Sequence, residues 1–586
     1  MTTAYKFLAG LLAGSLTAPL AAAEQAEEIL KVKKSTFVNL VDLLVQRGVL
    51  KQDEGKGLVK AAEEEAAEVE KTQVSAKPAG ALANSETGKK PGKSMHVSYV
   101  PEIVKKEIRE QVRAELRADV AKDVQAQARE EKWGIPAALP DWVSRIKPYF
   151  DMRIRLADEF YSDQNALALD WLHINDEGGV TQAAALNKAF VNNRVDRLRL
   201  RERFRVGFDA QITDHIKGGF RFATSNINNP VSNDQTLGNT GQSYQFAIDR
   251  AFLQYDFVDA KGRDWFSVYG GRFANPFVST DVVYDPDLSM EGLAGSFRWR
   301  FNQGDPAVKN YKAPEPTARF GVNQGSQTPD SVFATLGVFP IEEVNFSTSD
   351  KWMFGGQLGA DWLVFDDQRL TVAASYYDFH NLRARRNSLN SRKYDWTAPQ
   401  FIQKGNSLVA INDDGNQTDC GNGNICRVGL ATDFSVFNAT ATYDYAGFAP
   451  THVLFTADYA KNLGFNQRRI AREIGTIIEP KTNAFQLRVD VGHPEVRHFN
   501  DWNLYLAYRY LERDAVLDAF TDSVFHQGGT NAKGWVAGIQ YGLARNTWLN
   551  LRWFSTGSIS HSDDMVAGTG KRYDIDTVNL DLNARF

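Results

Sequence analysis

The chain has 586 residues with 67 Lys and Arg against 72 Asp and Glu, for a net charge of −5. No Lys/Arg-rich block stands out from that balance, which argues against a nucleic-acid partner. Beyond the first two dozen residues no apolar run approaches the roughly 20 residues of a membrane-spanning helix, so a helical membrane protein is excluded.

In chain order, Lys6 precedes an apolar stretch, Phe7 to Leu20, and the small residues Ala21 to Ala23 lead to Glu24. These are the three parts of a secretory signal peptide, predicted over 1–23. Residues 24–71 read as a helical hairpin, its first helix capped by Ser35 and carrying Phe37, Leu40, Val41 and Leu44 on one face. Gly48 fits its stop and Asp53 the next cap, with the hairpin ending near Lys71. From Thr72 to His96 the composition turns to Ser, Gly, Lys, Pro and Ala, so 72–100 is expected to be a flexible linker. In 101–132, Val104, Ile108, Val112, Leu116, Val120 and Val124 recur every fourth position, which predicts a long helix. That spacing overshoots the turn by about 40° per step, so the stripe drifts. Two roles fit it: a coiled coil that sets a trimer, or a solvated spacer helix.

Trp133 to Pro140 breaks the helix, and from 145 to 586 the pattern changes to period two. In the last ten residues Val578, Leu580, Leu582, Ala584 and Phe586 alternate with Thr577, Asn579, Asp581, Asn583 and Arg585. In the first candidate strand Phe150, Met152, Ile154 and Leu156 alternate with Asp151, Arg153 and Arg155. Such two-faced segments recur, with aromatics near their ends, as an outer-membrane barrel of about sixteen strands requires, fourteen to eighteen being tolerated. The connections support this. Short joints at Asp214–Lys217, Asp259–Asp264, Asp366–Gln368, Gly447–Pro450 and Arg545–Asn546 alternate with long ones, of which His380 to Thr432 is the longest. One joint, Asn302 to Asp330, is long where a short turn is due; either two weak strands hide there or the turn carries an excursion. A soluble all-β protein would have to bury the charged faces, at several kcal/mol per unpaired ion. The predicted fold class is thus an all-β transmembrane antiparallel barrel, preceded by a signal peptide and an α-helical, coiled-coil periplasmic region.

The strongest local signal is Arg197-Leu-Arg-Leu-Arg-Glu-Arg-Phe-Arg205. On a strand, Arg197, Arg199, Arg201, Arg203 and Arg205 share one face. Arginines in lipid at mid-membrane cost about 2–4 kcal/mol each, so these must line the lumen. Arg153 and Arg155 stand beside them, and Arg298 and Arg300 add an inward pair farther round. Such a wall attracts small anions and orients carboxylates or phosphates. The alternative is that Asp151, Asp209, Asp256 or an infolded loop pairs with it, leaving a transverse field of little net selectivity. Glu202 falls on the lipid side, where an interface or a bulge would account for it. Within Asn275 to Asp287, Asp281, Asp285 and Asp287 are candidates for a constriction loop facing the arginines, although an ordinary surface loop fits the letters equally.

Cys420 and Cys426 lie six residues apart in a Gly/Asn-rich stretch of an exported chain, which predicts a loop disulfide, with two free thiols the alternative. Asn412 to Asp419 is oxygen-rich but lacks the spacing of a calcium loop, and the nine histidines are scattered, so neither a metal nor a cofactor is expected. No Gly-x-Ser-x-Gly, His-Glu-x-x-His or phosphate-binding glycine loop is present, and no enzymatic role is expected.

The segments Val104-Lys-Lys-Glu-Ile-Arg-Glu-Gln-Val112, Trp133-Gly-Ile-Pro136, Leu139-Pro-Asp-Trp142 and Val195 to Arg203 resemble the putative porins of Gram-negative outer membranes. Gly271-Arg-Phe-Ala-Asn-Pro-Phe277, Asp285 to Gly292 and Asp350-Lys-Trp352 are similar to that family's strand and loop segments. The resemblance runs from about Pro101 to Phe586 and implies a diffusion channel with a periplasmic helical extension. The expected function is passive passage of small hydrophilic solutes, with anion preference, by a homotrimer set in outer-membrane lipid and lipopolysaccharide. Its rivals are an envelope tether, in which the helices bind peptidoglycan or another periplasmic component, and an adhesin or receptor acting through the long loops.

Overall fold

The computed structural model describes residues 145–586 except 225–226, 260–263, 302–320, 325–328, 346, 366, 389–390, 413–426, 476 and 561–571. The expected signal peptide, hairpin, linker and long helix lie outside the described residues, as do Cys420, Cys426 and nearly all of the oxygen-rich segment before them.

Sixteen antiparallel strands close on themselves. They are β1 (Ile146–Tyr161), β2 (Arg197–Gln211), β3 (Ile216–Thr224), β4 (Phe246–Val258), β5 (Asp264–Ala274), β6 (Ser289–Arg300), β7 (Ser331–Glu342) and β8 (Lys351–Phe365). The second half comprises β9 (Gln368–His380), β10 (Ser435–Phe448), β11 (Thr451–Asn462), β12 (Asn483–Gly492), β13 (Trp502–Leu511), β14 (Ala532–Ala544), β15 (Thr547–Ser558) and β16 (Asp574–Arg585). β1 closes the ring by pairing with β16 from Asp151↔Arg585 to Tyr161↔Ile575. The terminal Phe586 exchanges both backbone hydrogen bonds with Phe150, and their rings stack 5.6 Å apart. Closure leaves no unpaired strand edge, which in hydrocarbon would cost several kcal/mol per orphaned backbone group.

The alternation decides what each face meets. Along β1, Met152, Ile154 and Leu156 are 36–42% exposed, while Arg153 and Arg155 are 5% and 2% exposed. A one-residue register slip would exchange the two sets, so the apolar face pins the arginines inward. The same division holds on β6, with Leu293, Phe297 and Trp299 outside, and on β16, with Leu580 and Leu582 outside.

β6 pairs directly with β7, so no barrel strand hides between them and the long joint there is an excursion. The chain at Glu202 keeps unbroken register with β1, which removes the bulge of the two alternatives offered for it; Glu202 sits half-buried on the outer face, where Gln235 pairs beside it. The first long loop contains α1 (Trp171–Glu177) and α2 (Val180–Ala185), and the loop after β11 contains α3 (Gln467–Ile474).

The lumen is filled unevenly. From β5 to β9 the inner face carries Phe273, Met290, Phe339, Met353 and Tyr377, all buried. Against them pack Trp171, Phe277, Tyr284, Leu408, Phe434 and Val516 from the loops. Tyr284 meets the Tyr377 ring edge-on at 5.1 Å and reaches the Met353 sulfur at 3.3 Å. Each such side chain withdrawn from water stabilises the packed loops by about 1.5–3 kcal/mol. The inner face of β8 to β13 also buries polar groups, Gln357, Asp361, Asp458, Arg488, Asp490 and Arg509 among them, and the wall richest in arginine lies on the side of β15, β16, β1, β2 and β3.

Candidate functional site

On that side the register sets arginine against arginine. Arg153 lies opposite Arg203, and Arg155 opposite Arg201. Like charges directly across a strand pair are destabilising unless counter-charges intervene. Carboxylates from other elements supply them. Asp234, in the loop between β3 and β4, binds Arg153 and reaches Arg155 at 2.7 Å and Arg201 at 3.5 Å. Burial alone would raise its carboxyl, but Arg153, Arg155 and Arg201 together hold it well below the usual carboxylate range. Asp581 of β16 accepts from Arg155 at 2.6 and 3.0 Å and from Arg552 of β15 at 3.2 Å. Asp151 takes Arg203 at 3.0 Å and Arg205 at 2.7 Å. Glu159 takes Arg199, and Arg197 is exposed at the loop end.

The arginines expected as one ladder therefore do share one wall, but as a mixed-charge lattice. Of the acidic partners suggested by the sequence, Asp151 takes part. Asp256 instead binds Lys217 at 2.7 Å, and Asp209 is exposed. Arg298 and Arg300 stand apart from the lattice at the turn end of β6, 3.1 and 3.6 Å from Asp264.

The loop 275–288 folds inward and crosses the lumen. The Val278 backbone exchanges hydrogen bonds with the Gln357 side chain of β8, at 2.9 and 2.8 Å. Asp281 reaches Arg509 on β13 at 2.5 Å. Asp285 accepts backbone N–H bonds from Ser523 at 2.8 Å and from Asp287 at 2.7 Å. Of the three carboxylates expected to face the arginine wall, only Asp287 does so, at 3.0 Å from Arg203 and 3.1 Å from Arg205. The reason is topological: a loop that crosses the barrel presents successive residues to different walls. Burial, reinforced by Asp287 and Asp522, pushes the Asp285 carboxyl well up. Burial acts on Asp287 in the same sense, but Arg203 and Arg205 prevail and lower it.

Two cavities meet at this loop. One of about 350 Å³ lies toward the turn end, bordered by the arginine wall, Asp287, Glu495 and Arg585. Its described lining holds seven arginines (153, 155, 203, 205, 221, 250, 585) and eight carboxylates (Asp151, Asp234, Asp281, Asp285, Asp287, Glu495, Asp522, Asp581). The other, about 720 Å³, lies toward the loop end between Phe339, Met353, Phe401 and Phe520. Leu288 borders both.

Arg221 and Arg250 also border the turn-end cavity, a placement that period two does not reveal for both. The pairing Arg221↔Arg250 is followed by Phe222↔Ile248, a bulge that leaves Asp249 extra and interrupts the alternation. Asp249 binds Arg221 and borders the loop-end cavity, while Arg250 borders the other.

The sequence profile of a family described as putative porin matches residues 34–586. The chain belongs to the putative porin family. It is an outer-membrane β-barrel channel, with the lattice and the inward loop inside its lumen. Among solved structures the porin is similar to the high-pH structure of Pseudomonas putida OprB, at 10% identity and a TM-score of 0.40, over 78% of this chain and 97% of that one. Salmonella typhi OmpF in complex with daunomycin matches at 11% identity and a TM-score of 0.36, over 75% and 97%. The outer membrane channel DcaP of Acinetobacter baumannii matches at 10% identity and a TM-score of 0.35, over 75% and 97%. None of the curated proteins matches the chain.

Proposed function

We propose that the porin is a passive diffusion channel for small hydrophilic solutes, with a modest preference for anions. The supporting observation is the charged wall of β1 and β2, which borders one cavity, with Leu288 standing between that cavity and a second. Solutes move down their gradients past Asp287, Arg203 and Arg205, with no covalent step. The seven arginines and eight carboxylates of the turn-end cavity nearly cancel. Selection therefore rests on the direction of the field across the passage more than on net charge. An anionic group is drawn to the arginine side, where bidentate hydrogen bonding orients it. Residues 101–132 are proposed to set a trimer, supported by their apolar stripe.

The test is the reversal potential of the purified porin in a planar bilayer under a salt gradient. Wild type is expected to conduct in steps with weak anion preference. Changing Arg199, Arg201 and Arg203 to neutral residues is expected to reverse it, because Asp151, Asp234, Asp287 and Glu159 each lose a counter-charge. Asp287→Asn is expected to move the permeability ratio toward anions on the order of fivefold. A unit charge about 8 Å away in water contributes roughly 0.5 kcal/mol, opposite in sign for cation and anion. Cation preference in wild type, or a triple variant identical to it, would discard the arginine wall as the selective element; a folded barrel that passes no current would discard the channel.

A further inference from the structure

The connection between β6 and β7 begins and ends at the turn-side rim, where the Phe301 N–H donates to the Asp330 carbonyl at 3.0 Å. Connections at this end of a barrel ordinarily cross the rim directly. Here Gly321 to Gln324 lie inside the lumen. Val322 and Asn323 pair antiparallel with Thr280 and Ser279 of the inward loop. The Asp281 N–H donates to the Gly321 carbonyl at 2.9 Å, and the Asn323 side chain donates to the carbonyls of Asn275 at 3.0 Å and Phe277 at 2.9 Å. Val322 is 5% exposed, and Gly321 takes φ +77°, a left-handed conformation that brings its backbone against the Asp281 carboxylate.

We propose that Gly321 to Asn323 is a size-determining element of the passage, supplied from the turn end of the barrel. The inward loop is held at Val278 by β8 and at Asp281 by β13, but the carbonyls of Asn275 and Phe277 are tied by Asn323. The added strand piece narrows the same cavity that the arginine wall borders. Size selection in this chain is thus divided between two segments, one from each end of the barrel. This inference rests on the channel reading and adds a residue-level determinant to it.

The experiment uses the full-length porin in liposomes, with swelling measured in uncharged sugars and polyethylene glycols of graded size. Val322→Gly/Asn323→Ala is expected to raise the exclusion limit and the single-channel conductance while leaving the reversal potential unchanged, since no charge is altered. A second variant guards against loss of folding. The Asp281-to-Gly321 bond makes Thr280 and Val322 a non-hydrogen-bonded pair, whose Cα separation of about 4.5 Å suits a disulfide. Thr280→Cys/Val322→Cys, in a background lacking Cys420 and Cys426, is expected to cross-link in the folded barrel and to keep the wild-type limit even with Asn323→Ala added. A conducting wild type whose exclusion limit the first variant leaves unchanged overturns the inference alone, as does a folded cysteine pair that does not cross-link. A wild type that swells in no solute overturns the channel reading and this inference with it.

Discussion

Arg155 shows how single residues hold the polar wall together. Its guanidinium is 2% exposed and bridges Asp234 and Asp581, which approach from a loop and from the closing strand. Removing one partner of a buried pair leaves uncompensated charge, commonly at about 3–5 kcal/mol. Asp234 retains Arg153 and Arg201, and Asp581 retains Arg552, so Arg155→Ala is expected near the lower end, about 3 kcal/mol. Urea unfolding of the barrel in detergent measures it. Adding Asp581→Asn is expected to cost less than the sum of the two single changes, because both remove the same contact. The direction in which Arg155 points was legible in the sequence, since alternation with Ile154 and Leu156 leaves it no other side. Its partners were not: Asp234 is 79 positions away and Asp581 426, and no local pattern links them.

Among the elements, the loops between β9 and β10 and between β13 and β14 form a buried latch over the lumen. Their backbones touch where Gly405 (φ +109°) faces Thr530 and Gly529 (φ +87°) faces Lys404, positions that leave no room for a side chain. Asn406 donates to the carbonyls of Arg513 at 2.6 Å and Val516 at 2.9 Å, and Asp514 accepts from the Ser407 N–H at 2.8 Å and hydroxyl at 2.5 Å. Burial pushes the Asp514 carboxyl up to about 6 and the Asp518 carboxyl to about 7. Both bind protons more tightly in the packed latch than when exposed. Their contribution is complete below about pH 4 and is lost as pH rises through about 6 and 7. Lys404, which burial lowers to about 7, and His526, lowered by burial and by Lys404, act oppositely and weaken the latch as pH falls. Asp514→Asn/Asp518→Asn isolates the carboxyl part. Hydrogen exchange over 512–531 is expected to accelerate between pH 5 and pH 8, beyond the intrinsic pH effect, at least about tenfold more in wild type than in the variant. The strands were legible because period two is local; the latch was not, because the bonds between its two loops join segments more than a hundred residues apart. The joint from Asn302 to Asp330 lay between these cases. Its length fitted either two hidden strands or an excursion, and nothing in its letters said that Val322 would enter the lumen.

At the scale of the whole molecule, the barrel wall closes through its first and last strands. β1 begins at Ile146 and pairs on both sides, and the carboxyl-terminal Phe586 is bonded to Phe150. The pairings that close the wall run from Ile146 to Phe586. A chain lacking 24–131 but keeping residues 1–23 is expected to fold, insert and conduct with the wild-type unit conductance and reversal potential. Assembly and attachment separate from conduction in this variant. Should 101–132 set the trimer, the truncated porin sediments as a monomer; a trimer held by the barrel's outer face persists. The tether reading requires that peptidoglycan co-sedimentation be lost on truncation while current remains, and unchanged co-sedimentation removes it. A loss of conductance in a correctly folded truncated barrel would contradict the claim that the passage is built wholly from the strands and their inward loops.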